Sequence, residues 1–306
     1  MGGGSFSSSS FSSYSSSRGR SYDSSSGRVS GQVKLSSACK DVMKPKKKIR
    51  ECVNSEEHPN TIPVILGLDV TGSMGSGIKE CAQALGVIMT DLYKKFKDIE
   101  FCVMGIGDFA YDDAPLQVSQ FESDVRIAES IDNLYFERGG GGNKYESYTS
   151  AWWYGLNRTK LDAFDKQGRK GIIITMGDEQ LNPKLPRDSF KDWVGELDTD
   201  VKFTEENLRT DALYEAASKK FEIFHISVSG SGTSYDKGEG SYEENVDKSW
   251  QILGENYKIS TVNELSKTIV KCVEEAVNKQ RETVEVVGGP QKLNEGEQQS
   301  GDGITW

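Results

Sequence analysis

Three oxygen-bearing side chains stand at alternate positions in the loop Asp69-Val70-Thr71-Gly72-Ser73. The loop directly follows an apolar run, residues 62–68, which is typical of a strand that is buried on both faces. One carboxylate and two hydroxyls are hard ligands, suited to Mg²⁺, Mn²⁺ or Ca²⁺ and poorly suited to copper or structural zinc. The spacing therefore predicts a small cation site where this strand ends. The alternative is that the Thr-Gly-Ser turn only caps the helix that follows.

A second carboxylate stands at the matching point of another apolar run. Residues 171–176 read GIIITM and are followed by Gly177, Asp178 and Glu179. In sheets of parallel strands, the functional crevice lies outside the carboxyl ends of the central strands. Because an unpaired carboxylate at the end of a buried run is costly, we expect Asp69 and Asp178 to hold one cation between them.

The elements that would position these groups alternate along residues 61–279. Residues 78–96 carry a single apolar stripe over about five helical turns. Further strands are predicted at residues 100–106 and 222–228, and His225, within the second of these, is expected to be a core histidine. The alternation predicts an α/β fold with a doubly wound, mostly parallel central sheet flanked by helices.

The first loop and the later aspartate resemble the von Willebrand factor type A (vWA) domain family and its metal-ion-dependent adhesion site (MIDAS). The family's first motif, Asp-x-Ser/Thr-x-Ser, is met by Asp69, Thr71 and Ser73, and its later Asp corresponds to Asp178. The resemblance covers residues 61–280. It implies a Rossmann-like fold with a Mg²⁺ site, for which Ca²⁺ and Mn²⁺ are alternatives.

The resemblance also implies a ligand from a third loop. A glycine-rich stretch at residues 139–142 is followed by Tyr145-Glu146, similar to a subgroup of the family in which a Glu after such a stretch reaches the metal. We favour Glu146 as this ligand over Thr149, although Tyr145 replaces the Pro of that subgroup. Asp108, in a segment that resembles the one after the family's second strand, is expected at the rim of the site or behind a ligand.

Composition divides the chain into unequal parts. Residues 1–30 hold 15 serines and few aliphatic side chains, so we expect a disordered N-terminal arm. The Ser-rich and then basic arm, residues 1–50, carries a net charge of +8, whereas the rest of the chain carries −18. Residues 51–60 are interpreted as a linker and residues 281–306 as a polar C-terminal tail.

The same totals bound location and partners. No apolar run approaches the ~18 residues that span a membrane, and the first residues lack the basic and apolar blocks of a signal peptide. The five cysteines form no Cys-x-x-Cys pair, so we expect reduced thiols in a cytoplasmic, non-secreted protein, with a virion-associated protein as the alternative. Residues 44–50 are basic, and we favour a solvated linker over a nucleic-acid contact because no aromatic platform accompanies them.

Enzyme motifs fail on particular residues. No Gly-x-Ser-x-Gly surrounds Ser73, and Ile78 stands where a phosphate loop requires lysine. With only two histidines, neither near a candidate nucleophile, Ser/His hydrolysis is unsupported. A metal-assisted hydrolase or phosphoryl-transfer accessory stays an alternative, with Glu179 or Asp108 as the available base.

The leading hypothesis is a non-catalytic protein-binding module. In it, an Asp or Glu of a partner protein completes the coordination of the cation. The family resemblance suggests an AAA-type ATPase or a multi-subunit particle as the partner. The other alternative is a structural subunit of a virion or large assembly, in which the N-terminal arm threads into neighbouring subunits.

Overall fold

The computed structural model of the chain describes residues 4–137, 143–229 and 240–287, with side chains up to residue 281. Its strands, numbered along the chain, are β1 (Ser21–Asp23), β2 (Arg28–Ser30), β3 (Arg50–Cys52), β4 (Ile62–Asp69), β5 (Ile99–Ile106), β6 (Leu116–Glu122), β7 (Tyr145–Glu146), β8 (Thr159–Leu161), β9 (Gly171–Gly177), β10 (Gln180–Leu181), β11 (Phe221–Ser229) and β12 (Tyr257–Thr261). Its α-helices are α1 (Ser8–Ser17), α2 (Gly75–Lys95), α3 (Arg126–Asp132), α4 (Thr149–Arg158), α5 (Asp162–Asp165), α6 (Arg187–Val194), α7 (Thr210–Ala217), α8 (Tyr242–Ser249) and α9 (Leu265–Val287). Short 3₁₀ turns cover Gly72–Met74, Gln251–Asn256 and Val262–Glu264. The glycine-rich stretch at 139–142 and the predicted tail beyond residue 287 lie outside the described residues.

In the described part of the chain, one six-stranded sheet has the order β12-β11-β9-β4-β5-β6. Its strands are parallel except β6, which pairs antiparallel with β5 at one edge. The predicted α/β architecture with a mostly parallel sheet is therefore confirmed. Strands β4 and β9 are neighbours, and their register pairs Leu68 with Met176. Asp69 and Asp178 thus leave adjacent strands at the same end of the sheet.

The two faces of the sheet are covered by separate apolar clusters. Val64, Leu66 and Leu68 face the cluster that contains the stripes of α2 and α9. Ile65, at the opposite parity of the same strand, faces a cluster with Trp152 of α4. Side chains alternate between the faces of a strand, so burial on both sides accounts for the near-continuous apolar run that β4 shows in the sequence.

Some predicted boundaries differ from the structure. Residues 146–156 carry an apolar face that predicts a helix beginning at Glu146, but Glu146 lies in the two-residue strand β7 and the helix begins only at Thr149. Strand β12 has no counterpart among the predicted elements because it is a short edge strand whose apolar Ile259 is 58% exposed. The sequence of residues 205–221 also predicts a helix; the structure begins it at Thr210, since Arg209 forms an isolated bridge with Lys184.

The N-terminal segment does not form the disordered arm that its composition predicts. Helix α1 and the β1–β2 hairpin pack against α2, and Phe11 is 1% exposed in the main core. The rings of Phe6 and Tyr22 lie 5.3 and 5.2 Å from that of Phe11. Aromatic side chains bury large areas. Phe11, the rings beside it and Val29 therefore supply the apolar surface that the segment needs, although it contains few Leu, Ile or Val residues.

Two residues of the domain, Gly86 and Asp132, allow this segment to pack closely. A Cβ on Gly86 of α2 would lie 2.4 Å from the carbonyl oxygen of Gly27 and 2.9 Å from the Phe11 ring, so only glycine permits the close approach. The Asp132 carboxylate accepts hydrogen bonds from the Tyr14 hydroxyl, at 2.6 Å, and from Arg20. Contacts scattered over the sequence therefore replace the aliphatic content that a self-contained segment would require.

The basic run at residues 44–50 is partly buried rather than wholly solvated. The Arg50 side chain is buried and donates to the carbonyls of Val42 and Val118, at 2.8 and 2.6 Å. Lys47 adopts a positive φ of 53° and donates its amide to Val194. The run thus fastens residues 42–50 along the β6 edge, which covers hydrogen-bonding groups that an edge strand would otherwise expose.

The chain has no paired cysteines in this structure. All five cysteines are free thiols, and all but Cys39 are buried.

None of the helices within the described ranges is both long and apolar enough to span a bilayer.

Candidate functional site

The first loop of the site is shaped by its own side chains. Asp69 is fully buried at the end of β4, and its Oδ1 accepts the Thr71 amide at 2.9 Å and the Thr71 hydroxyl at 2.5 Å. Thr71 precedes the 3₁₀ turn, but its side chain makes no capping bond there. The loop therefore uses its threonine to orient the buried aspartate and not as a helix cap.

The second aspartate is joined to the first loop through a serine. The Ser73 hydroxyl donates to Asp178 Oδ1 at 2.8 Å, and Asp178 is fully buried. In both pairs the hydroxyl hydrogen points toward a carboxylate, so the lone pairs of Thr71 and Ser73 are directed away from it. The structure thus brings Asp69, Thr71, Ser73 and Asp178 together with oxygen lone pairs available on both hydroxyls.

Glu146 supplies a third carboxylate to this region. Strand β7 pairs with β10, directly after Asp178 and Glu179, and the Ser147 amide donates to the Gly107 carbonyl. Glu146 is 6% exposed, and its Oε2 has no hydrogen-bond partner among the described residues. Burial and the nearby charge of Asp69 raise the pKa of Glu146. Because buried polar atoms are nearly always paired, this oxygen is a position that an ion, a water molecule or residues outside the described ranges could complete.

The two less favoured candidates have other partners. The Thr149 hydroxyl accepts from the Asn182 side chain at 2.7 Å, and its amide donates to the same side chain. Asp108 accepts the Ala110 amide at 2.9 Å and the Asn143 side chain at 2.5 Å. Both residues therefore support the loops around Glu146 in this structure.

Tyr148 is a site residue that the sequence pattern did not reveal. Its hydroxyl donates to Asp69 Oδ2 at 2.7 Å, so three hydrogen bonds occupy a carboxylate that offers about four lone-pair directions. A Cβ on Gly177 would lie 1.9 Å from this hydroxyl and 2.8 Å from Asp69 Oδ2. Glycine at the end of β9 is therefore what lets the tyrosine reach the aspartate. The one available signal, an aromatic residue near Glu146, did not distinguish this role from core packing.

Like charges crowd the site. Burial and the charge of Asp178 raise the pKa of Asp69. Burial, with the charges of Asp178 and Asp69, raises the pKa of Glu179 to about 8. The principal electrostatic influences on Asp69, Glu146 and Glu179 come from other carboxylates, and no lysine or arginine is among them. Such a cluster is unfavourable when ionised unless a cation neutralises it.

The donor set fits a small hard cation. Carboxylates of Asp69, Asp178 and Glu146 and hydroxyls of Thr71 and Ser73 are oxygen ligands of the kind that Mg²⁺ and Ca²⁺ accept. In the described ranges, no three His, Cys, Asp or Glu side chains converge closely enough to hold a metal on their own. The fit therefore depends on the two hydroxyls and on the unpartnered Oε2 of Glu146.

His225 lies behind the site within an aromatic stack. Its ring is parallel to that of Trp250, with centroids 3.5 Å apart, and its Nδ1 is 2.9 Å from the Thr175 hydroxyl. Trp250 in turn donates to the Glu179 carbonyl at 3.2 Å. The complete burial of His225 confirms that it is a core histidine, although its Nε2 has no hydrogen-bond partner among the described residues and the ring is therefore not fully satisfied.

A histidine buried in this way makes stability depend on pH. Burial lowers the pKa of His225 in the folded protein well below its ordinary value of ~6.5. At pH values between this lowered pKa and ~6.5, the unfolded chain binds a proton that the folded chain does not. Stability should therefore fall below pH ~6.5 by about 1.4 kcal/mol per pH unit from this group. We expect His225→Gln to remove this contribution, and urea unfolding of both proteins between pH 7.5 and 5.0 measures it. Equal slopes for the two proteins would contradict the prediction.

Comparison with known proteins leaves the family open. No protein-family model and no curated protein matches the chain. Among solved structures, the pilus adhesin SpaC from Lactobacillus rhamnosus GG, in its open conformation, is 12% identical over 77% of this chain and 31% of SpaC, with a TM-score of 0.46. The vWF domain of the pilus tip protein Mfa5 from Porphyromonas gingivalis is 11% identical, over 72% of this chain and 96% of that domain, with a TM-score of 0.42.

A third similar structure is proximal thread matrix protein 1 from the mussel byssus, 13% identical over 74% of this chain and 47% of that protein, with a TM-score of 0.40. This chain therefore spans less than half the length of SpaC and of the byssus protein. At these identities and TM-scores the similarities do not identify a function.

Proposed function

We propose that the chain is a divalent-cation-dependent protein-binding module of the vWA type. The proposal is carried by one observation: Glu146 Oε2 is buried beside Asp69, has no hydrogen-bond partner among the described residues, and belongs to a group of carboxylates whose main electrostatic influences come from one another. Asp69, Thr71, Ser73, Glu146 and Asp178 would hold the ion. Mg²⁺ is the proposed ion, with Ca²⁺ and Mn²⁺ as alternatives, because the donors are all oxygen. Since two of the donors are neutral hydroxyls, the ion would keep positive charge that can attract a carboxylate oxygen of a partner.

The chain's own residues fix the proposed ligands in place and provide exposed aromatic side chains for a partner. Hydrogen bonds from Thr71 and Tyr148 fix Asp69, and the bond from Ser73 fixes Asp178, so little side-chain entropy remains to be lost on binding. Tyr111, in the segment after β5, and Tyr145, in β7, are 57% and 38% exposed. The two segments are joined by hydrogen bonds from the Ser147 amide to the Gly107 carbonyl and from the Phe109 amide to the Ser147 hydroxyl. Exposed tyrosines beside a charged centre are common anchors of protein interfaces.

We propose no catalytic role for the site. Of the two candidate bases, Asp108 is buried and Glu179 is partly exposed. Glu179 already accepts a hydrogen bond from the Tyr242 hydroxyl. The threading-arm alternative finds no support in residues 4–33, which pack against the chain's own α2 and α3. A purified protein that hydrolyses phosphoesters in the presence of Mg²⁺ would favour the hydrolase alternative instead.

A metal titration tests the proposal directly. After EDTA treatment and dialysis, Mg²⁺, Mn²⁺ or Ca²⁺ should raise the melting temperature in a saturable manner, and calorimetry should give one site per chain. Partner capture from native extract should then be reversed by EDTA and restored by the same ion. Saturable capture that EDTA leaves unchanged would contradict the proposal.

The Tyr148 hydroxyl offers a prediction about affinity. We expect Tyr148→Phe to weaken Mg²⁺ binding by about tenfold, because groups that orient metal ligands typically contribute 10- to 100-fold. Calorimetric titration measures the change. Tyr154→Phe is the matched control, since it removes a buried hydroxyl that donates to the Lys48 carbonyl at 2.8 Å, away from the site. That control should lose stability and keep its Mg²⁺ affinity; equal affinities in all three proteins would assign Tyr148 to packing alone.

A further inference from the structure

A large groove lies at the end of the sheet opposite the candidate metal site. It has a volume of about 1130 Å³ and opens where β4, β9 and β11 begin. The last described turns of α9 form one side, and the loop at residues 167–170 forms another. The volume is close to the upper end of small-molecule sites, roughly 300–1,000 Å³, and far exceeds what a single phosphate or carboxylate needs.

The floor of the groove is apolar. Phe96, Phe221, Ile223 and Val277 line it, and each is no more than 8% exposed. These side chains belong to the end of α2, the start of β11 and α9, so the floor is part of the packed domain. A ligand in this groove would therefore lie against the edge of the packed core, whose side chains are fixed in place.

The walls carry an excess of positive charge. Among the described residues that line the groove, six are Lys or Arg and three are Asp or Glu, in a protein with a net charge of −10. Two of the lysines, Lys170 and Lys279, approach the same carboxylate, that of Glu222, at 3.4 and 3.0 Å. The Glu222 carboxylate therefore lies between two ammonium groups on this wall of the groove.

Three further cations in the walls have no carboxylate within ion-pair distance in the described part of the chain. They are Lys97, Arg169 and Arg281. The Arg281 guanidinium lies 5.8 Å from the centre of the Phe96 ring, which places a cation directly over the apolar floor. Arg169 donates to Gln167 and to the Thr61 carbonyl, and burial lowers its pKa, which the charge of Asp98 only partly offsets.

We propose that this groove binds an acidic peptide segment of a partner protein. Apolar side chains of the segment would rest on the floor, while its carboxylates meet Lys97, Arg169 and Arg281. Because these cations come from three separate elements, an extended chain with several carboxylates matches them better than one compact anion does. The surface is independent of the cation site, so the module would contact partners at both ends of its sheet.

Fluorescence polarisation with defined peptides tests the proposal. The probe is a labelled 12-residue peptide of repeated Glu-Glu-Leu, compared with the same peptide built from Gln-Gln-Leu, in EDTA and low salt so that the metal site contributes nothing. We expect the acidic peptide to bind at least tenfold more tightly. The double variant Lys97→Gln/Arg281→Gln should weaken its binding by about tenfold, and 0.5 M NaCl should do the same.

The matched control neutralises two cations elsewhere. Lys184→Gln/Lys248→Gln removes lysines that are 55% and 56% exposed and pair with surface glutamates, and we expect it to bind the acidic peptide like the unmodified chain. Equal binding by the two double variants would overturn the proposal, as would equal binding of the two peptides. Binding of dodecanoate that depends on Lys97 and Arg281, without binding of the peptide, would reassign the groove to a small amphiphile and overturn it too. Asp69→Asn should leave peptide binding unchanged, so failure here is distinguishable from failure of the metal proposal.

Discussion

Asp69→Asn should abolish the stabilisation of the protein by Mg²⁺ without destabilising the metal-free protein. The amide keeps the shape of the side chain and an oxygen that can accept from Thr71, but it removes a charge that burial and Asp178 already disfavour. At a Mg²⁺ concentration of 100 times its dissociation constant, the ion adds about 2.7 kcal/mol to the unmodified chain. We expect the variant to lose all of this and to be equally or more stable in EDTA, as measured by urea unfolding.

Asp162→Asn is the matched control for this experiment. Asp162 is also a buried aspartate, but it accepts from the Lys166 ammonium and the Asn54 amide at 2.8 and 3.0 Å, and these partners lower its pKa. Its amide variant should lose stability at neutral pH and retain the full response to Mg²⁺. The two aspartates therefore predict opposite signs in EDTA, and a Mg²⁺ response that persists in Asp69→Asn would exclude this residue as a ligand.

Phe11→Ala is expected to have the largest effect on stability among changes in the N-terminal segment. A buried Phe truncated to Ala typically costs 3–5 kcal/mol, and Phe11 is 1% exposed between Phe6, Tyr22 and α2. We expect a loss of about 3 kcal/mol in urea unfolding, limited by the free energy with which residues 4–33 dock. Limited proteolysis should then cleave this segment before the rest of the domain.

Two further variants make this result interpretable. Gly86→Ala normally stabilises a helix by about 1 kcal/mol, yet here it should destabilise the protein because the new methyl group would displace Gly27 and Phe11. Ser9→Ala, at an exposed position of α1, should change stability by less than about 0.5 kcal/mol. A free arm would make Phe11→Ala and Ser9→Ala indistinguishable.

The sequence was most informative for the central strands of the sheet, which must be apolar on both faces. The apolar runs of β4 and β9 could only be buried on both faces, and from that followed their central position and the meeting of Asp69 with Asp178. The position of Glu146 was less accessible because a two-residue strand has no periodicity to detect. Tyr148 could not be assigned at all, since its role depends on the absence of a side chain at Gly177, almost thirty residues later in the chain.

The N-terminal segment shows why composition alone misjudged its order. Its serines predict disorder because they bury little apolar surface, and that argument holds for the isolated segment. Its order in the structure comes from distant residues, namely the Asp132 carboxylate and the space left by Gly86. No local pattern encodes these partners, and only the assembled domain presents them.

Those distant contacts also constrain the order of events during synthesis. Tyr14 and Arg20 meet Asp132 across sequence separations of 118 and 112 residues, so during synthesis this segment must wait for α3 before it can make these contacts. At about 5–20 residues per second, that delay lasts roughly 6–24 s. A Ser-rich segment with few aliphatic side chains remains soluble over such an interval, when a more apolar one would be prone to aggregate. The composition that suggests permanent disorder is thus suited to a segment that completes the fold late.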